Sequence, residues 1–419
     1  MQEKLENLPD FRKREQYGTG ELVMAGISMF LFKEGSRNIY NATRKDKQFS
    51  ENYEKLFGVR LPHLDTSDDY FRVLPENELE IIKADMISQL IRKKVIGNQK
   101  IRGYYIVAVD ATGAVNNGEK PCDGCLSKRS KNGKATYFRN VLEAKLITSS
   151  GLSLSIATEW ISNEGKGQYQ KQDCEREAFK RLAKKIKKFY PRLPVLILAD
   201  GLYPWDGFFD ICEKNHWKYI VVLKDGNLKT LQEDITLEKM ITPKQIMEIK
   251  QAGKDKLTTL KYHWLKGLTY REHKINYVEA NETVRHINTK EEKKQRFVHI
   301  TDLDINGDMC DGISFTGRLR QKIENEGFNT QKNQGYALQH KFSRVSFTAL
   351  KNYYQCLQIA HIINQLVEAS QVIKSLANET KESSIKYLWE RLKSFLFEIK
   401  VKKDELLKLV SKPFQIRLT

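Results

Sequence analysis

Three carboxylates in this chain have the residue types and the settings for metal-assisted chemistry. Asp110 and Asp200 each close a short apolar run, "GYYIVAVDATG" and "PVLILADGLYP", and Glu324 follows in a basic segment. Runs that short and that rich in Val, Ile and Tyr suit buried strands better than helices. An aspartate ending such a strand is delivered to the carboxyl edge of a sheet, where α/β folds place their chemistry. Two carboxylates from separate strands and one from a helix supply the oxygen ligands that a hard cation such as Mg²⁺ prefers. A single Asp beside Gly is as well explained by a turn or helix cap. The pair with a later helix glutamate points to a metal site.

The charge balance suggests what such a site would act on. Lys and Arg number 71 against 53 Asp and Glu, a net charge of +18 over 419 residues. The excess is spread over many segments, which fits a long track for a polyanion such as DNA better than one basic tail. Hydrophobic residues make up 40% of the chain, enough for a large core and too many for global disorder. Six isolated cysteines do not make a disulfide framework, so a reducing compartment is expected. The longest apolar stretch, residues 22–32, is too short to span a bilayer and reads as a buried helix. A cytoplasmic, nucleoid-associated protein with no membrane partner is the expectation.

The elements that must position the carboxylates follow from periodicity. Residues 1–100 read as a helical N-terminal region that binds DNA ends, with Leu79, Ile82, Met86, Leu90 and Ile91 at helical spacing. From Tyr104 the pattern turns to strands at 104–109, 137–147 and 152–158. A helix at about 171–190 carries Phe179, Leu182, Ala183, Ile186 and Phe189 on one face. Strand 195–199, a helix near 205–215 and strand 219–223 complete a core over 101–224. Residues 225–312 alternate at period two and read as a β-rich insertion. The core resumes over 313–345 with the glutamate helix, and 346–419 is helical. Periodicity alone supports an α/β class; three strands, helix, strand, helix, strand is the connectivity of an RNase H-like mixed sheet flanked by helices.

Over roughly residues 104–345 the chain resembles bacterial insertion-sequence transposases of the DDE class, in the branch with a β-rich insertion inside an RNase H-like domain. The resemblance rests on "VAVDATG", "LILADGLYP" and "RQKIENEGFNTQKNQGY". The last is similar to that branch's Tyr-Arg-Glu-Lys signature, with Arg320 four residues before Glu324. Two positions depart from it: the signature tyrosine falls at Gly317 and the lysine at Gln331, one residue before Lys332.

The resemblance implies a cut-and-paste DNA transposase in which Asp110, Asp200 and Glu324 are catalytic and hold two Mg²⁺ ions, with Mn²⁺ able to substitute. Two such ions, about 3.5–4 Å apart, activate an oxygen nucleophile and relieve charge on the departing oxygen. Glu326 is the fallback glutamate; on a helix it points about 200° away from Glu324. Arg320 and Lys332 are expected to contact DNA phosphates, Arg through its planar fork. Tyr262 and Trp264 alternate onto one side of a strand in the insertion, so an exposed aromatic pair is expected, with Trp264 stacking on a flipped base. The partners implied are double-stranded DNA, as terminal inverted repeats and target, and a second copy of the chain in a synaptic homodimer. The rivals are another RNase H-like nuclease and an inactive, domesticated DNA-binding derivative. The "CDGC" at Cys122–Cys125 has no second paired cluster, and reads as a loop more readily than as half a zinc site.

Overall fold

The computed structural model describes residues 1–13, 15–164, 171–242, 245–371, 373–375 and 385–411. Six helices come first: α1 (Gln2–Glu6), α2 (Thr19–Leu31), α3 (Arg37–Thr43), α4 (Lys47–Phe57), α5 (Leu64–Val73) and α6 (Glu78–Arg92). Then follow β1 (Tyr105–Gly118), β2 (Leu126–Arg129), β3 (Ala135–Ile147), β4 (Ser153–Ile161), α7 (Glu175–Phe189), β5 (Val195–Ala199), α8 (Asp206–Asn215) and β6 (Lys218–Val222). The insertion comprises α9 (Lys229–Ile241), β7 (Ile246–Ala252), β8 (Lys256–Tyr270), β9 (His273–His286) and β10 (Glu292–Thr301). After it come α10 (Cys310–Arg318), a π-helical segment Ile323–Asn329, α11 (Thr330–Asn333), α12 (Phe347–Glu368), α13 (Ile385–Glu398) and α14 (Lys403–Val410).

All ten strands join one mixed sheet in the order β2-β3-β1-β5-β6-β10-β9-β8-β7, with β4 also paired to β3. The β1–β5 and β5–β6 pairs are parallel and the rest antiparallel. The insertion is therefore hydrogen-bonded into the core: β10 pairs with β6 through His299↔Val222, Ile300↔Val221 and Thr301↔Ile220.

Alternation along the central strands feeds two cores. Ile106 and Ala108 of β1 and Leu196 and Leu198 of β5 pack on one face, with α2, α5 and α12. Tyr105, Val107 and Val109 with Val195, Ile197 and Ala199 pack on the other, against Phe179, Leu182, Ala183 and Ile186 of α7 and Phe208 of α8. Burial on both faces is why these strands read as unbroken apolar runs. The N-terminal helices and α12 share a layer, pinned by Asn352 Nδ2 to the carbonyls of Phe71 and Leu74 (3.0 and 2.9 Å). Among the described residues no helix is long and apolar enough to cross a membrane.

Two expectations need correction, and one loop that the sequence did indicate holds a pairing it did not announce. Asp110 does not end its strand, because β1 runs on to Gly118, paired with β3. What ends is the parallel pairing, whose last pair is Ala108↔Leu198, so Asp110 still lies where β5 gives way to Asp200. The insertion does not begin as strand: the 13-residue α9 precedes it. That helix buries Leu231 and Ile235 while Leu237, Met240 and Ile241 stay exposed, which blurs the helical period. Finally, Cys122 and Cys125 are joined as a disulfide in the loop after β1.

Candidate active site

Strand alternation puts Asp110 in line with Ile106 and Ala108, and Asp200 in line with Leu196 and Leu198, so both carboxylates face the α12 side of the sheet. Asp110 Oδ1 accepts the Ala111 amide (3.0 Å) and Oδ2 accepts Arg320 Nη1 (3.0 Å). Burial pushes the Asp110 carboxyl above the usual aspartate range. The Arg320 guanidinium opposes that shift, and the nearby Asp200 and Glu324 carboxylates add to it. Asp200 Oδ1 accepts the Leu202 amide (2.8 Å), a turn contact, which leaves Oδ2 to Lys224 Nζ (3.0 Å). Lys224 reaches it by lying across Gly201, where a Cβ would sit 2.5 Å from the lysine chain.

Glu324 belongs to the π-helical segment, with Lys332 Nζ 3.6 Å from its Oε1. Glu326 instead pairs with Lys322 (2.9 Å) and is not among the groups that perturb Asp110. The π geometry also decides which side chain meets Glu324. An i→i+5 turn holds one residue more than an α turn, so the residue facing Glu324 falls one place later in sequence. Lys332 takes that position, and Gln331 turns inward, fully buried, to donate to Gln358 Oε1 (2.9 Å) and meet His361 Nδ1 (3.0 Å).

The tyrosine position has a steric explanation. Gly317 is buried in α10, and a Cβ there would lie 2.5 Å from the His299 ring and 3.0 Å from Ile220 Cγ2. His299, from β10, occupies the space that a larger residue would need. Burial, with Arg318 and Arg320 nearby, drives its pKa down to about 4. His361 is also fully buried and held well below its ordinary value by desolvation. Both rings are neutral in the folded state, whereas an unfolded histidine protonates below about pH 6.5. Stability is therefore lost as pH falls from 6.5 towards 4, by about 3 kcal/mol for His299. Melting temperatures measured between pH 7.5 and 4.5 should fall less steeply in His299→Leu than in the wild type; equal slopes would remove the histidine from the acid response.

The expected exposed aromatic pair is not formed. Tyr262 is buried and donates to Asp311 Oδ1 (2.6 Å), and Trp264 is half-buried against Gly307, where a Cβ would be 3.0 Å from the indole. Residues 305–313, ending in α10, cover this side of β8, a layer that alternation within the strand cannot reveal.

Sequence reasoning missed four charged residues. Glu175, the first residue of α7, receives Tyr203 OH (2.8 Å), and both Asp110 and Asp200 help to raise its pKa. Glu143 lies opposite Asp110 across the β1–β3 pair, fully buried, and accepts Ser155 Oγ and Thr158 Oγ1 (2.6 Å each). Lys83 donates to the same two hydroxyls (2.8 Å each). Lys145 is fully buried with no hydrogen-bond partner for Nζ among the described residues, and desolvation brings it down to about 8. The signal was there: Glu143 and Lys145 are charges at period two inside "VLEAKLI", which marks a buried polar layer on one face.

Among the described residues no three His, Cys, Asp or Glu side chains converge, as they stand, closely enough to hold a metal ion. Asp110, Asp200 and Glu324 are each met by a basic side chain instead: Arg320, Lys224 and Lys332. Even so, the donor chemistry fits a hard divalent cation. The three groups are all carboxylates, and Asp200 and Glu324 are close enough to bear on Asp110 electrostatically. In comparisons with known proteins, no family model and no curated protein matches the chain.

Proposed function

We propose that this chain is a DNA transposase of the DDE type, with Asp110, Asp200 and Glu324 as its catalytic carboxylates. The observation that carries the reading is that Asp200 and Glu324 both lie near enough to act on Asp110 electrostatically, at the edge where the parallel pairing of β1 and β5 ends. The strand order supports an RNase H-like core: β4-β3-β1 antiparallel, then β5 and β6 parallel to β1. So does the insertion, which lies between β6 and the glutamate segment.

Asp110, Asp200 and Glu324 would hold Mg²⁺. Bound there, such ions make an oxygen nucleophile available at neutral pH and neutralise charge on the leaving oxygen. The chain's own residues position the DNA. Arg320, released from Asp110, presents a planar fork to a phosphate oxygen beside the scissile bond, and Lys332, released from Glu324, presents a point charge. Beside Asp110, on β3, buried Glu143 is tied to Lys83 through the hydroxyls of Ser155 and Thr158. Water would attack at a terminal inverted repeat, and the freed 3′-hydroxyl would then attack the target, with two copies of the chain holding two ends.

The test is direct. Purified protein and Mg²⁺ should cut duplex DNA carrying the sequences that border this reading frame, leaving 3′-hydroxyls at the repeat ends, and EDTA should stop the reaction. Cleavage of RNA or of branched DNA in preference to those ends would favour another nuclease of the same fold. Binding without cleavage would favour an inactive derivative.

A further inference from the structure

Beside the carboxylates, the far half of β1, the loop after it and the start of α12 enclose an open cleft of about 1060 Å³. Lys120, Lys341 and Arg344 line it, and none has an ion pair to a carboxylate among the described residues. Arg139, 8% exposed, forms part of its wall. Its guanidinium lies 3.5 Å over the Phe347 ring, and Nη2 donates to the Asp123 carbonyl. Nη1 is buried with no hydrogen-bond partner among the described residues. Burial lowers the pKa of this arginine, and leaving one arm of a desolvated guanidinium unpaired is costly.

Two further features bear on the sign of the cleft. The 22-residue α12 opens into it, with Ser346, Phe347 and Thr348 on the wall, so the positive end of the helix dipole adds to the four side-chain cations. The carboxylates of Asp123 and Glu164 oppose them, but Glu164 is held by Lys351 (2.7 Å). The balance is positive. The site is ordered around the arginine: Cys122 and Cys125 close the loop that offers the Asp123 carbonyl.

We infer that this cleft, centred on Arg139, is a binding site for backbone phosphates of the DNA strand that leaves the carboxylate site along β1. The inference rests on the DNA reading above and adds to it a location. Val115, on the cleft wall, is five residues beyond Asp110 on the same strand. That is roughly 15 Å, or about four to five base steps of duplex. A strand held at the carboxylates therefore reaches the cleft within half a turn of the helix. Arginine is suited to the task because Nη1 is left to donate to a phosphate oxygen while Nη2 is held by the Asp123 carbonyl and the guanidinium lies on the ring of Phe347.

The experiment is a salt titration of affinity for a fluorescent duplex carrying the bordering DNA, followed by anisotropy. Arg139→Gln should weaken binding about tenfold at moderate salt and flatten the plot of log affinity against log salt by about 0.9, one phosphate's worth. The same affinity and slope in a folded Arg139→Gln protein overturns the inference. Should that variant fail to fold, the double variant Lys341→Gln/Arg344→Gln decides it: a slope flatter by about 1.8 supports the cleft, and an unchanged slope overturns it. Cleavage by the wild type is scored separately. A wild type that binds with the expected slope but never cuts leaves the cleft standing and sinks the transposase reading.

Discussion

Replacing Asp110 with Asn should abolish cleavage of end DNA while leaving the protein at least as stable as the wild type. The two effects have one origin. Burial and the neighbouring carboxylates push the Asp110 carboxyl above its usual range, so its ionised form is disfavoured by the fold. A folded pKa above the unfolded one means that stability from this group is present below pH 4 and lost as pH rises through the folded value. At neutral pH the charged Asp110 is therefore a cost, and a neutral amide of the same shape relieves it. Catalysis needs that charge, and its loss should lower the rate by on the order of a thousandfold or more, the scale seen when a group stabilising transition-state charge is removed. Glu324→Gln should match it in activity, whereas Glu326→Gln should cut normally. Cleavage and melting temperature measured on the same samples check this. An Asp110→Asn protein that melts lower and still cuts would mean that the aspartate is structural.

The second large effect is expected at Gly317, where a tyrosine should prevent folding. Even the Cβ of alanine would lie 2.5 Å from the His299 ring, and the ring, on a side chain only 3% exposed, has close-packed neighbours to displace if it is to move. Gly317→Ala should cost roughly 1–3 kcal/mol, the range for overpacking a close-packed interior, and Gly317→Tyr considerably more. Adding His299→Ala to Gly317→Ala should recover part of the loss, because it removes the obstruction. Thermal melts of the three variants decide it. A stable Gly317→Tyr protein would show that the helix and the strand can part, and the steric account would be wrong.

Much of the core was legible because its strands are buried on both faces. The runs ending at Asp110 and Asp200, and the apolar stripe of α7, each carry a one-dimensional signal that needs no tertiary context. What escaped depends on contacts between distant segments. The extension of β1 past Asp110 is rich in small residues and glycine, which carry little strand signal, and it pairs with β3 alone. Helix α9 leaves half of its apolar residues exposed, so its period is weak. Tyr262 and Trp264 alternate as a half-exposed strand should, but α10 and the turn before it cover them. The π turn is the clearest case. Nothing in "KIENEGFNTQK" announces the extra residue that turns Gln331 inward and brings Lys332 to Glu324. Glu175 was passed over because its closeness to Asp110 and Asp200 arises only when α7 docks beside the sheet.

The central claim is that three carboxylates now held by Arg320, Lys224 and Lys332 form a divalent-metal site when DNA is bound. Counting Mn²⁺ by electron paramagnetic resonance, with and without duplex carrying the bordering sequence, tests it most directly. The account predicts about two ions per chain in the DNA complex, displaced by excess Mg²⁺, with at least one lost in Asp110→Asn. Unchanged Mn²⁺ binding in Asp110→Asn, or none in the wild-type complex, would contradict it.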